Sequence, residues 1–260
     1  MDELVLRENM EPGIARLTFN RPDKLNALST PLVRQLEAHL DDIAADRDVR
    51  CVILAGAGDK AFVAGADIAE YRGRQTEKFI AYQRESRVVF GKIEALPQPV
   101  IAAVRGYALG GGFEIVLCCD IVICAQSARL GLPEGLLGLS PGGGGTQRLT
   151  RVVGKHTASN MMLAARRITG QRAYELGIAA ECVPDEELMD TALMRARDVC
   201  RVAPLAAEEM KPLIRAALET PLEAGLTLEQ STLYRLYNTN DADEGIQAFL
   251  EKRDPDFTGH

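Results

Sequence analysis

Histidine is scarce in this 260-residue chain: the three are His39, His156 and His260, and none lies near a glycine cluster. A Ser-His-Asp or Cys-His arrangement does not suggest itself, so acid/base chemistry falls to carboxylates. Basic runs are missing too. No stretch of five or more Lys and Arg occurs and the formal charge is −7, which argues against a general nucleic-acid binder, because clustered cations drive phosphate binding. A local basic patch could still hold an anionic ligand. The longest apolar region is interrupted by Arg105, Glu114 and Asp120, so no run is long enough to span a bilayer. The first residues, MDELVLRENMEP, are acidic and lack the basic and apolar regions of a secretory signal. A soluble protein is expected. The cysteines, Cys51, Cys118, Cys119, Cys124, Cys182 and Cys200, show no C-x-x-C pairing, which predicts reduced, mostly buried thiols in a cytoplasmic compartment. The run GGGGTQR at 142–148 has no Lys-Ser/Thr pair and is therefore no P-loop.

What the chain does have is an apolar content of 47%, ample for a sizeable core. Apolar runs at 4–7 and 13–19 read as an antiparallel pair. The spacing of Leu32, Val33, Leu36, Leu40 and Ile43 predicts a helix over 30–45 with Thr30 as N-cap and Pro31 at its first position. Strands follow at 51–55, 100–104 and 120–125. Between them come a Gly-rich loop at 56–67, a charged helix over 76–95 and a short helix at 111–118. This alternation of strand, loop and helix points to α/β layering. After about residue 142 helical periodicity is nearly continuous (146–153, 156–165, 170–176, 185–202, 204–219, 221–237 and 241–252), with only 179–183 strand-like. Met161, Met162, Leu163, Leu213, Ile214 and Leu233 make this region more apolar than a solvated tail, so it is expected to pack on the core or on other subunits.

Two glutamates stand out in segments otherwise almost wholly apolar. Glu114 follows the glycines of VRGYALGGGFE (104–114), and Glu134 follows Pro133 in RLGLPE (129–134). Carboxylates are rarely buried without a partner or a purpose. Two in apolar surroundings, beside glycines that let backbone N–H groups approach a ligand, make an acid/base site with an anion-stabilising wall. Both also admit a plainer reading as first-turn glutamates favoured by a helix dipole. A rival motif is Gly56-x-Gly58-x-x-Ala61 after a strand, a formal match to the dinucleotide fingerprint. That fingerprint needs a helix opening at its glycines, and here a second Gly/Ala loop continues through Asp67.

Four motifs in order, NRPDKLNAL (20–28), AFVAGADI (61–68), GYALGGGFE (106–114) and LPE (132–134) followed by 138–149, resemble those of the crotonase superfamily, specifically enoyl-CoA hydratase. The tail FLEKR (249–253) also fits. The resemblance covers nearly the whole chain. It implies an α/β crotonase fold: strand-strand-helix turns repeating through a spiral core (1–195) as two nearly perpendicular sheets, then a helical C-terminal region (196–260) that builds a homotrimer, paired into a hexamer as a dimer of trimers. It further implies reversible syn-hydration of a trans-2-enoyl-CoA to a 3-hydroxyacyl-CoA. Glu114 would activate the water, Glu134 would transfer a proton at C2, and the N–H groups of Ala64 and Gly111 would form the oxyanion hole. Coenzyme A would enter as part of the substrate, with no metal or redox cofactor. Arg21, Lys24 and Lys252 would meet its phosphates, Phe249 its adenine from a neighbouring subunit, and Ala27, Ala66, Asp67, Ile68 and Gly142 would complete the binding residues. Two departures bear on acyl preference: Ala69 stands where relatives often have lysine, and Phe113 puts a bulky ring beside Glu114. An enoyl-CoA isomerase, a specialised acyl-CoA hydratase or lyase, and an RNA-binding or scaffold role are the alternatives.

Overall fold

The computed structural model describes residues 3–73 and 75–260. The chain opens with β1 (Val5–Glu11) antiparallel to β2 (Ile14–Phe19), then α1 (Thr30–Ala45) and β3 (Cys51–Gly56). A pattern then recurs. β3, β5 (Val100–Val104) and β7 (Ile121–Ala125) lie in one sheet, and each is followed within a few residues by a short strand of a second sheet: β4 (Ala61–Val63), β6 (Tyr107–Leu109) and β8 (Arg129–Gly131). A helix comes next each time: α2 (Thr76–Ala95), α3 (Gly111–Val116), and, after a 3-10 turn at Glu134–Leu137, α4 (Gly145–Leu163). The large sheet runs β1-β2-β3-β5-β7-β10, parallel from β2 onward, and the small one β4-β6-β8-β9, where β9 is Ile168–Thr169, β10 is Glu181–Val183 and the short helix α5 (Gly170–Glu175) lies between them. This is the expected strand-strand-helix repeat.

Both faces of the central strands β3, β5 and β7 are covered, which is why they read as nearly unbroken apolar runs. Successive side chains alternate faces. Val52, Leu54, Val100 and Ala102 join the main core with α1, α2 and α3. Cys51, Ile53, Ile101 and Ile123 pack instead against α6 (Leu188–Cys200), which buries Leu188, Ala192 and Ala196 on them. Because α6 is one helix seated on the sheet, the boundary expected after residue 195 falls inside a core element. The helices beyond it are α7 (Pro204–Ala216), α8 (Leu222–Tyr237) and α9 (Asn240–Glu251). They present Ile214, Leu222, Tyr237 and Phe249 to solvent in the single chain.

Local details differ from the sequence-based expectations. The N-cap of α1 is Ser29, and Thr30 is the first helical residue. Its free N–H and hydroxyl both donate to the Glu70 carboxylate, at 3.1 and 2.6 Å, a long-range substitute for a side-chain cap. Helical residues 146–153 and 156–163 form one element kinked at Gly154, whose φ is 75°. The expected loop at 56–67 contains β4. A Cβ at Gly56 would lie 2.7 Å from the Phe62 Cα, so glycine there permits the chain to cross from one sheet to the other. No helix opens at these glycines, and the dinucleotide fingerprint is not realised. Among the described residues, no helix is long and apolar enough to cross a membrane.

Candidate active site

The loops that join the two sheets surround a cavity of about 580 Å³. Its walls are mostly apolar, with Leu28, Phe79, Phe90, Leu109, Leu136 and Leu137 among them, and both glutamates line it. Their settings differ. Glu114 lies in the first turn of α3 and is 4% exposed. Its Oε1 accepts the N–H groups of Gly143 and Gly145, each at 2.8 Å, at the start of α4, where the unsatisfied N–H groups and the dipole favour negative charge. Burial pushes its carboxyl above the ordinary carboxylate range; the Gly145 and Gly143 N–H groups and the Arg148 guanidinium oppose that. Glu134 opens the 3-10 turn after β8. Its Oε2 is buried without a hydrogen-bond partner. Burial, with a smaller contribution from the Glu114 charge, raises its carboxyl to about 7, against the pull of a backbone N–H. Burial raises both carboxyls, but at Glu114 two N–H groups and a guanidinium offset it, whereas Glu134 Oε2 has no such partner.

The cavity wall beside them is glycine backbone. Gly110, with φ 52°, turns β6 into α3, and a Cβ there would sit 3.1 Å from Glu134 Oε1. A single parallel bridge joins Leu28 to Ala66: Leu28 N–H donates to Gly65 O and Asp67 N–H to Leu28 O, both at 2.8 Å. In such a bridge the central residue's own N–H faces the other way, so that of Ala66 is turned away from Leu28. The Ala64 N–H donates to Leu25 O at 3.0 Å. That bond corrects the expected oxyanion pair, because a donor already satisfied inside the fold is not available to substrate. The N–H groups of Ala66 and Gly111, both lining the cavity, have no backbone acceptor among the described residues, a lack they share with Gly65, Ser140 and Gly142; these two are the pair beside the bridge and at the start of α3.

Ala66, Ile68 and Gly142 line the cavity, whereas Arg21, Lys24, Ala27 and Asp67 stand outside it. Arg21 is spent within the fold, donating to Ala27 O at 2.7 Å and to Asp67 Oδ2 at 3.0 Å, and Lys24 is exposed in the turn before α1. Phe249, 83% exposed, and Lys252 belong to the end of α9. Phe113 is fully buried in the core and does not line the cavity, so its ring does not reach the acyl site, and the expected bearing on acyl preference falls away. Ala69 borders a second, polar cleft of about 420 Å³ that shares Tyr71, Phe79 and Tyr82 with the first. Sequence reading missed three contributors. Asn26, fully buried, donates to Ala57 O and Ala61 O and accepts the Arg21 N–H, holding the early loop against β4; its place in the NRPDKLNAL motif was the signal. Arg148 and the cavity-lining cation Arg167 had none. Among the described residues no group of three or more His, Cys, Asp or Glu side chains is arranged to hold a metal ion.

Comparison with known proteins agrees with this arrangement. The family model described as enoyl-CoA hydratase/isomerase matches residues 9–260. A 2,3-dehydroadipyl-CoA hydratase of Escherichia coli is 39% identical over 259 residues, 100% of each chain. A short-chain-enoyl-CoA hydratase of Clostridium acetobutylicum is 39% identical, with 94% of this chain and 93% of that one covered. The crystal structure of an enoyl-CoA hydratase from Bacillus anthracis superposes with a TM-score of 0.96 at 38% identity, covering 99% of this chain and 100% of that one. On fold, site geometry and full-length similarity, this chain belongs to the enoyl-CoA hydratase/isomerase family.

Proposed function

We propose that the protein adds water reversibly across the double bond of a trans-2-enoyl-CoA. The observation that carries this reading is the unequal pair of carboxyls on one cavity, Glu114 held by two N–H groups and Glu134 unpartnered and raised to about 7. The Ala66 and Gly111 N–H groups hold the thioester oxygen, stabilising the charge that develops there as water attacks C3. Glu114 orients that water and takes its proton; Glu134 delivers a proton to C2. The two carboxyls thereby exchange proton states, and one proton passed between them through water restores the site. Neither step oxidises or reduces anything and both transfers have a carboxyl, so the mechanism calls for no metal or redox cofactor.

Coenzyme A is the handle of the substrate. Lys24, exposed in the turn before α1, meets its phosphates from the same chain, and Phe249 and Lys252, exposed and outside the cavity of the single chain, reach it in an assembled trimer, where the C-terminal helices of one subunit flank the site of another. The apolar side chains on α7, α8 and α9 supply the contact surface, and sedimentation at about three times the chain mass, or six, tests this. The chain carries no basic run for nucleic acid, and its six unpaired thiols fit a reducing compartment such as the cytoplasm. Because the relative from C. acetobutylicum is named for short chains and Phe79, Tyr82 and Phe90 wall the cavity from α2, the acyl group is a short one.

The test is loss of the conjugated-thioester absorbance of crotonyl-CoA by wild type, Glu114→Gln and Glu134→Gln. Each variant should lose about 10²–10⁴-fold in kcat while still binding acyl-CoA. A Glu114→Gln protein that turns over at the wild-type rate would overturn the two-carboxyl mechanism.

A further inference from the structure

We infer that Arg148 and Glu94 form a positioning pair that holds the Gly143–Gly145 backbone in the one conformation able to bind Glu114 as a carboxylate. Arg148, on the first turns of α4, forks onto Glu94 of α2: Nε to Oε1 and Nη2 to Oε2, both 2.7 Å. Its remaining nitrogen, Nη1, donates to the Gly143 carbonyl at 2.8 Å. The N–H of that same Gly143 binds Glu114 at 2.8 Å. One peptide segment thus has its carbonyl fastened from behind by a guanidinium and its N–H aimed at the catalytic carboxyl. The guanidinium also lies against Gly144, φ 110°, where any side chain would displace it.

A bidentate pair between two helices could be a strut and nothing more. Two features argue otherwise. The third arm of Arg148 ends on the loop that touches Glu114, not on a helix. The pair is also poorly exposed, each side chain at 24%, so its field is weakly screened where Glu114 titrates. The charged and titratable groups facing Glu114 are Glu134 across the cavity, Arg148 behind the loop with Glu94 beyond it, Tyr82 from α2, and the Cys118 thiol just after α3. Arg148 is the one cation among them. Its charge lowers the Glu114 carboxyl against the upward push of burial, and Glu94 moderates that charge.

This inference rests on the assignment of Glu114 as the residue that activates water, and the test separates the two. Steady-state hydration of crotonyl-CoA would be followed against pH in Arg148→Met, Arg148→Lys and Glu94→Gln, with thermal melts for each. Arg148→Met should lose on the order of 10²-fold in kcat, the scale of a misplaced catalytic group, with little change in KM. Its acidic limb, set by Glu114 ionisation, should move to higher pH. Arg148→Lys should recover part of kcat. Glu94→Gln, which leaves the cation unmoderated, should show a smaller loss with the acidic limb moved to lower pH. Opposite displacements are not produced by a strut. If Arg148→Met folds and keeps the wild-type kcat and acidic limb while Glu114→Gln is inactive, the positioning role is wrong and the mechanism stands. If both Glu94→Gln and Arg148→Lys lose melting temperature with unchanged limbs, the pair is structural only. If Glu114→Gln itself is fully active, the mechanism is what fails.

Discussion

Glu114 and Glu134 face one cavity with unequal hydrogen bonding: Glu114 Oε1 accepts two backbone N–H groups at 2.8 Å, whereas Glu134 Oε2 is buried with no partner. Burial raises both carboxyls; the N-terminal end of α4 offsets part of that on the first, and no hydrogen-bond donor does so at Oε2 of the second.

Activity should follow that asymmetry. In hydration Glu134 must hold a proton, so kcat should decline as pH rises past about 7, where its carboxyl ionises. In dehydration Glu134 must accept the C2 proton, and the same limb should rise. Initial rates in both directions across pH check this. A hydration rate flat through that interval in wild type would remove Glu134 as the donor.

Stability should carry the same signature. The Glu134 carboxyl ionises near its ordinary 4.5 in the unfolded chain and near 7 in the folded protein. Its contribution is therefore complete below pH 4.5 and is lost as pH rises through 7. Glu134→Gln, which cannot ionise, should match the wild-type pH trend below about 4.5, pull ahead of wild type in melting temperature between about 4.5 and 7, and keep a constant lead at higher pH. Paired thermal melts test the divergence, a case of stability yielded for function.

Ala66 and Ala64 should respond differently to loss of their N–H groups. Ala66→Pro removes a donor not spent inside the fold and should cost about 10²–10³-fold in kcat, as loss of one oxyanion donor does. Ala64→Pro breaks the bond to Leu25 O and should appear chiefly as reduced stability, about 1–3 kcal/mol. Kinetics and denaturant titration on both variants separate the roles.

Gly145 leaves no room for a methyl group. A Cβ there would lie 2.9 Å from Leu132 Cδ1 and 3.0 Å from Glu114 Oε1. Gly145→Ala should cost about 1–3 kcal/mol from overpacking and also lower kcat by displacing the carboxylate. Urea unfolding and saturating turnover measure the two effects.

The centre of the large sheet is legible in the sequence because β3, β5 and β7 are buried on both faces, which leaves continuous runs such as Cys51 to Ala55 and Val100 to Val104. Helix α1 is equally plain from Leu32, Val33, Leu36, Leu40 and Ile43, all of them buried. The small sheet is not. Its strands have two or three residues each, too short for a period to show, and they alternate with the glycine loops that form the site. The cap of α1 escapes sequence reading for a related reason: its partner, Glu70, lies 40 residues away.

By itself the sequence determined which chemistry was possible: two isolated carboxylates in apolar segments, glycines beside them, and too few histidines for another mechanism. The order of four long motifs determined the family. Tertiary structure decided which groups are free to act. AFVAGAD offers several small residues as N–H donors, and only the pairing of Leu25 with Ala64 and of Leu28 with Ala66 shows that the first N–H is spent inside the fold and the second is not. Likewise Glu94, Arg148 and Gly143 are ordinary residues in the chain, and their link to Glu114 exists only because α2, α3 and α4 meet. A hydrogen bond satisfies one donor at one place, and which place depends on contacts between residues far apart along the chain.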